Sequence, residues 1–229
     1  MTDHRIAIRF LPLLFAAAGT ASAAAPAMKP YAADYQASYM GLHGTGHMSL
    51  SQQGGKWVYS LRIGSSVAQL SQSTTFDVNG DALRPLSGTD ASTFLVKRVT
   101  KQASYDWKAG QASWSGDVKP ERAGPIALQA GDVDAMLLNL ALPRDVAAGR
   151  PLHYRMVDDG RAKQVDCSAG GKESLDAGGK SLQATKVSCD LGGNKQILLW
   201  VVDGMPFPAR ILQRKDGKDD IDLRLGKPA

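Results

Sequence analysis

Gly131-Asp132-Val133-Asp134-Ala135-Met136-Leu137-Leu138-Asn139-Leu140-Ala141-Leu142, followed by Pro143, is the one stretch whose pattern reads as a firm helix. Asp132 is expected to cap it, because a carboxylate accepts from the unpaired N–H groups of a first turn. Asp134 adds negative charge where the helix dipole favours it. Pro143 is expected to end it. Between these signals only Asp134 and Asn139 are clearly polar. A helix apolar around most of its circumference needs cover on nearly every side.

The rest of the chain supplies sheet as that cover. Trp57, Tyr59, Leu61 and Ile63 alternate with Val58, Ser60 and Arg62, and Ala103, Tyr105 and Trp107 alternate with Gln102, Ser104 and Asp106. Period two is the signature of strands with one buried face. Asn79-Gly80, Asp159-Gly160, Asp203-Gly204 and Asp216-Gly217 supply residues that tolerate positive φ, as tight hairpins require. The expected elements are about twelve antiparallel strands, over 33–40, 45–52, 56–64, 68–78, 82–88, 94–107 and 111–116 before the helix. After it come 151–158, 162–174, 181–191, 195–202, 207–215 and 220–225. A sheet this long tends to curl, and a helix laid across its concave side buries the inner face. The fold class is therefore mainly β: a curved antiparallel half-barrel or open barrel with one apolar helix packed on the concave face.

The first residues read as an address. Arg5 and Arg9 precede the apolar run Phe10 to Ala18, and Ala21-Ser22-Ala23 offers a cleavage site. Residues 1–23 are read as a secretory signal peptide, 24–30 as a flexible tail, and 31–225 as a single β-rich domain. The apolar run is shorter than the roughly 20 residues that span a bilayer, so no transmembrane segment is expected after cleavage. The expected location is the periplasm. Removal of residues 1–23 takes away Arg5, Arg9 and Asp3 and lowers the formal charge from +5 to +4. The basic residues are dispersed and no reading motif accompanies them, which argues against nucleic acid as a partner.

Cys167 and Cys189 are the only cysteines. In an oxidising compartment a disulfide is the leading reading. A hairpin centred on Gly178 makes facing residue numbers sum to 356, so Cys167 meets Cys189, Val165 meets Leu191 and Ala169 meets Val187. A two-residue loop at Gly178-Gly179 shifts the sum to 357 and breaks that match.

Reactive chemistry is sparse. A hairpin centred on Thr45 would set His43 and His47 across from one another, which is half a metal site and weak as a metal candidate without a third ligand. His153 reads as a structural residue. Nucleophile elbows, phosphate loops and dinucleotide fingerprints are missing, so no catalytic residue and no cofactor is assigned. Asp158 and Asp159 are attributed to turn formation. The stretch from Trp200 to Arg210 is rich in proline, which reads as a sheet edge or a strand start, with a ligand gate at Met205 and Phe207 as the alternative.

Several motifs recur in an order that resembles a known family. They are Phe76-Asp77-Val78-Asn79-Gly80-Asp81-Ala82-Leu83-Arg84-Pro85, Tyr105-Asp106-Trp107, Gly131-Asp132, Gly149 with Val157-Asp158-Asp159-Gly160, and Leu199-Trp200-Val201-Val202-Asp203-Gly204-Met205-Pro206-Phe207-Pro208-Ala209-Arg210-Ile211. Together they resemble an exported bacterial family, the domain of unknown function numbered 3108. The resemblance implies a periplasmic β-rich protein and transfers no functional residue. Its implied architecture is similar to that of the outer-membrane lipoprotein carriers, although one helix stands here where those have several.

The functional expectation is a non-catalytic envelope protein binding a lipid or other apolar component between sheet and helix. The expected lining is Met136, Leu137 and Leu140 with Trp57, Tyr59, Leu61 and Trp200, gated by Met205 and Phe207. An envelope assembly or scaffolding factor with a protein partner is the alternative. A hydrolase acting on glycans or lipids would be signalled by a polar cleft with two converging carboxylates. Nothing in the sequence sets the oligomeric state.

Overall fold

The computed structural model describes residues 28–39 and 42–227. The expected signal peptide lies outside the described residues, as do residues 24–27 of the expected tail. Of the rest of that tail, Met28 is half-buried against the core.

Fourteen strands form one antiparallel sheet around one helix: β1 (Tyr31–Tyr39), β2 (Leu42–Gln53), β3 (Lys56–Gly64), β4 (Ala68–Asn79), β5 (Ala82–Phe94), β6 (Lys97–Asp106), β7 (Gln111–Gly116), β8 (Ile126–Ala127), α1 (Ala135–Ala147), β9 (His153–Asp158), β10 (Arg161–Ala177), β11 (Lys180–Gly192), β12 (Lys195–Val202), β13 (Arg210–Lys215) and β14 (Lys218–Leu225). Their order is β8-β7-β6-β5-β4-β3-β2-β1-β14-β13-β12-β11-β10-β9, so the chain's two halves join through β1 and β14. The sheet curls until its ends nearly meet. Tyr105 on β6 donates its hydroxyl to the Val157 carbonyl on β9 at 3.0 Å, and Lys101 pairs with Asp159 at 2.9 Å. Val133, just ahead of α1, fills the seam. It bridges to β9 through Val133 N–H to Arg155 O at 3.2 Å and Val157 N–H to Val133 O at 2.8 Å.

The helix lies inside this nearly closed barrel, as its composition demands. Leu137 and Leu142 are fully buried within a core that includes Tyr59, Phe76, Leu199 and Phe207. Burying one such leucine contributes about 1.5–3 kcal/mol. Its ends differ from the sequence reading. The cap is Asp134, whose Oδ1 accepts from Leu137 N–H at 2.7 Å. Asp132 is occupied elsewhere: its Oδ2 accepts from Arg155 at 2.6 Å and from Gln129 N–H at 2.8 Å. Pro143 does not end the helix, because the turn after it is held by side chains. Asp145 accepts from Arg144 at 2.8 Å, Tyr154 at 2.9 Å and Arg150 at 3.4 Å, and Arg150 also reaches Asp81 at 3.0 Å. These bonds offset the one backbone donor that proline removes. Gly149, at φ +62, is the actual stop.

The cysteine register is as expected, reached by another route. Cys167 faces Cys189 and they form a disulfide with Cα atoms 4.1 Å apart. The turn is nonetheless the two-residue Gly178-Gly179, with Ala177 opposite Lys180. A bulge between Ala169 and Lys172 then shifts the pairing by one residue and restores the match. Beyond that bulge the β10–β11 hairpin folds back across the outer face of the sheet, and Gly178 N–H donates to Leu225 O on β14 at 2.9 Å. Leu175 and Ala177 thereby cover Leu198, Trp200 and Leu212, so β12 is buried on both faces.

Three further expectations are corrected. No hairpin is centred on Thr45: it lies inside β2, which pairs continuously with β1, with Gln36 opposite Thr45. The proline-rich stretch is not a sheet edge, since β12 and β13 are interior strands and the edges are β8 and β9, but it is a strand start, Pro206 and Pro208 leading into β13. Phe207 plugs the core there, and Pro208 O accepts from Tyr35 at 3.0 Å. Residues 89–93, expected as a connection, extend β5 because each pairs across both β4 and β6.

Candidate functional site

Parity along the strands decides what faces the barrel interior. On β4 the inward row is Leu70, Gln72, Thr74 and Phe76, and register puts Asp90 opposite Gln72 and Gly88 opposite Thr74. Across β5 and β6, Lys101 stands opposite Asp90 and Ala103 opposite Gly88, while Trp114 of β7 faces Ala103. Gly88 and Ala103 thus put two small residues side by side in a row whose ends, Tyr59 and Trp114, are large. The row cannot fill its share of the interior. A chamber of about 350 Å³ opens there, between the N-terminus of α1 and the sheet.

Its walls differ in chemistry. Leu61, Ile63, Leu70, Met136, Ile211, Ile221 and Leu223 make an apolar side; Gln72, Thr74, Asp90, Lys101, Asp134 and Asp158 make a polar one. Asp134 is buried and doubly anchored, by Leu137 N–H on Oδ1 and by the Thr74 hydroxyl on Oδ2 at 2.6 Å. Burial raises its pKa, opposed by those hydrogen bonds. Burial also pushes the half-buried Asp158 carboxyl up to about 7, helped by the negative charge of Asp134. The Asp159 carboxylate holds Lys101 charged by hydrogen-bonding its ammonium. The polar wall is therefore acidic in balance, and one of its groups exchanges a proton near neutrality.

The stretch that holds these strands and the helix is matched along nearly its whole length. The model of a family described as "Protein of unknown function (DUF3108)" matches residues 31–224. The chain belongs to the DUF3108 family. No curated protein matches the DUF3108 chain. Among solved structures it is similar to one described as "Crystal structure of MucB", at 9% identity and a TM-score of 0.32, covering 87% of the DUF3108 chain and 55% of the other. The chain thus spans about half the length of that neighbour.

The structure distributes the sequence-predicted lining unevenly. Met136 and Leu61 border the chamber. Leu137, Leu140, Tyr59 and Phe207 are packed solid in the core, with Phe207 stacked on Tyr59 at 5.0 Å, and Trp57 is half-buried against the same cluster. Trp200 lies on the opposite face of β12, its indole N–H donating to Glu173 at 2.6 Å and Arg210 4.5 Å above its ring. Met205 packs in that outer cluster as well. Trp200 and Met205 are thus separated by the sheet from the helix they were expected to meet. A continuous apolar run such as Ile197 to Val202 carries no parity signal, because both faces are buried.

His43 and His47 project from one strand, four residues apart, and His47 is bonded to Asp34 at 2.6 Å. His153 is bonded to Asp166 at 2.7 Å. Among the described residues no group of three or more histidine, cysteine or carboxylate side chains is placed to hold a metal ion. The chamber residues that sequence reading passed over are Thr74, Asp90 and Lys101, while Asp158, attributed there to turn formation, ends β9 and lines the chamber. The available signal was the polar pair Gln72 and Thr74 at inward positions of a strand whose inward row also holds Leu70 and Phe76. Larger hollows, of about 980 Å³ beside Asp34, His47 and Arg62 and about 690 Å³ beside Asp190 and Asn194, are formed mostly by outward-facing side chains.

Proposed function

We propose that this DUF3108 protein is a non-catalytic binding protein of the bacterial cell envelope that holds a small single-chain amphiphile at the N-terminal end of α1. The observation that carries the reading is the division of one chamber into an aliphatic wall and an acidic wall. An alkyl chain is accommodated along Leu61, Ile63, Leu70 and Ile221, and a head group that donates hydrogen bonds faces Asp90 and Asp158. At about 350 Å³ the chamber falls at the low end of small-molecule sites, which suits one chain better than a two-chain lipid. An envelope location is supported by the signal-like residues 1–23 and by the Cys167–Cys189 disulfide, a bond that persists in oxidising compartments. No helix among the described residues is long and apolar enough to cross a membrane.

What supports binding over hydrolysis is the state of the three wall carboxylates, Asp90, Asp134 and Asp158. Both oxygens of Asp134 are engaged in structural hydrogen bonds and Asp90 Oδ2 accepts from Gln72 at 3.3 Å, so of the three carboxylates Asp158 alone lacks a side-chain hydrogen-bond partner among the described residues. Two-carboxylate hydrolysis needs both groups free to act. The test is thermal shift with dodecylamine and dodecanoic acid, run on the wild type and on Ala103→Phe. Stabilisation is expected at pH 8 by the amine over the acid, with no response in Ala103→Phe. Equal responses from the two proteins, or none from the wild type, would refute the reading.

A further inference from the structure

The end of the barrel at which β5 meets β6 carries an anomaly that neither packing nor turn chemistry explains. Most tight two-residue turns of the sheet use the residues that such turns favour: Gly54-Gly55, Gly80-Asp81, Asp159-Gly160, Gly178-Gly179, Gly193-Asn194 and Asp216-Gly217, nearly all at positive φ. Between Phe94 and Lys97, which pair across the ladder, the turn is Leu95-Val96. Leu95 sits at φ +53. A bulky residue at positive φ is strained, and because Val96 is not at positive φ, Gly at position 95 alone would relieve the strain.

The turn gains nothing from burial in return. Val96 is 99% exposed, Leu95 65% and Phe94 53%. These are among the most exposed large apolar side chains described, and they are consecutive. Lys97 and Arg98 follow directly, both exposed, and neither makes an ion pair among the described residues. Leu95 N–H is tied to Val67 O at 2.9 Å, so the tip is braced against the β3–β4 connection. Tyr39 and Leu42, flanking the β1–β2 turn at the same end of the sheet, are 47% and 40% exposed.

We propose that the Phe94-Leu95-Val96 tip, backed by Lys97 and Arg98, is a docking element that inserts into the surface of an anionic lipid bilayer. A strained residue kept without a packing reason marks a site where another requirement dominates. The tip presents Leu95 and Val96 foremost, Phe94 level with the opposite Lys97, and Arg98 one pair behind, with neither cation in an ion pair among the described residues. That is the order in which a bilayer boundary presents its own chemistry, acyl chains beneath anionic head groups. The aliphatic stems of Lys97 and Arg98 can lie along the inserted tip while their charges remain at head-group level. Docking here turns toward the bilayer the end of the barrel nearest Ile63 and Leu70, which line the chamber.

Co-sedimentation with vesicles tests the proposal, comparing phosphatidylglycerol–phosphatidylcholine mixtures with pure phosphatidylcholine. The wild type should bind the anionic vesicles, and added salt should weaken binding. Replacing both cations, Lys97→Gln with Arg98→Gln, should weaken it about thirty-fold, from the contribution of each basic residue near a charged surface. The double substitution Leu95→Gly with Val96→Asn should weaken it at least tenfold while raising the melting temperature. That combination separates docking from folding, because loss of function accompanies a gain in stability. Undiminished binding by either variant would overturn the proposal, as would failure of the wild type to bind anionic vesicles. The inference does not rest on the chamber: Ala103→Phe should leave vesicle binding unchanged.

Discussion

Asp158 offers a stability measurement that reads the chamber's electrostatics directly. Its carboxyl is raised from 3.8 to about 7, first by burial and then by the charge of Asp134. Between these values the folded protein binds a proton that the unfolded chain releases. Stability linked to this group is therefore fully present below pH 3.8 and is lost as pH rises through 7. A shift of roughly three units corresponds to at most about 4 kcal/mol, and solvent reaching the half-buried group brings the expected value to ~2 kcal/mol. Asn is a close stand-in for the protonated acid, so Asp158→Asn should be nearly neutral at pH 4. At pH 8 it should be more stable than the wild type by ~2 kcal/mol. Urea unfolding of both proteins at the two pH values supplies the comparison. An equal difference at pH 4 and pH 8 would show that Asp158 ionises normally in the fold, and the account of an acidic, desolvated wall would fail with it.

Other expected outcomes follow from the same packing. Leu137→Ala removes a fully buried side chain at the centre of the helix–sheet contact and should cost about 2–5 kcal/mol in urea unfolding; a cost below 1 kcal/mol would mean that the helix is not held as described. Reduction of the Cys167–Cys189 disulfide, which closes a separation of 22 residues, should cost about 3 kcal/mol and lower the melting temperature without loss of far-UV β signal. Thr74→Val leaves Asp134 Oδ2 without its hydroxyl donor and should cost about 1–3 kcal/mol. Restoration of stability by Ser at position 74, but not by Ala, would identify the hydroxyl as the cause.

Much of the architecture was legible because it depends on local patterns. The alternation of Trp57 to Ile63 has one reading, and an apolar helix in mid-chain needs a concave sheet. What could not be read depended on contacts between distant residues. Pro143 signals a stop, and it is overridden by Asp145, Arg150 and Tyr154 together with Asp81, which is brought in from the distant β4–β5 turn. The disulfide register was right while the turn was wrong, because the bulge beside Gly170-Gly171 compensates a one-residue shift that the turn introduces. Trp200 was misplaced because a strand buried on both faces hides its parity. The chamber itself arises from Gly88 and Ala103, an absence of side-chain volume whose meaning appears only when register sets the two side by side.

The central claim is that the space left by Gly88 and Ala103 is a binding site. Native mass spectrometry of the protein purified from envelope fractions, without detergent exchange, tests it most directly against Ala103→Phe prepared in parallel. The wild type should carry a bound single-chain amphiphile that organic extraction releases, and Ala103→Phe should be folded and empty. Identical masses with nothing bound to either protein, or the same amphiphile retained by both, would contradict the account.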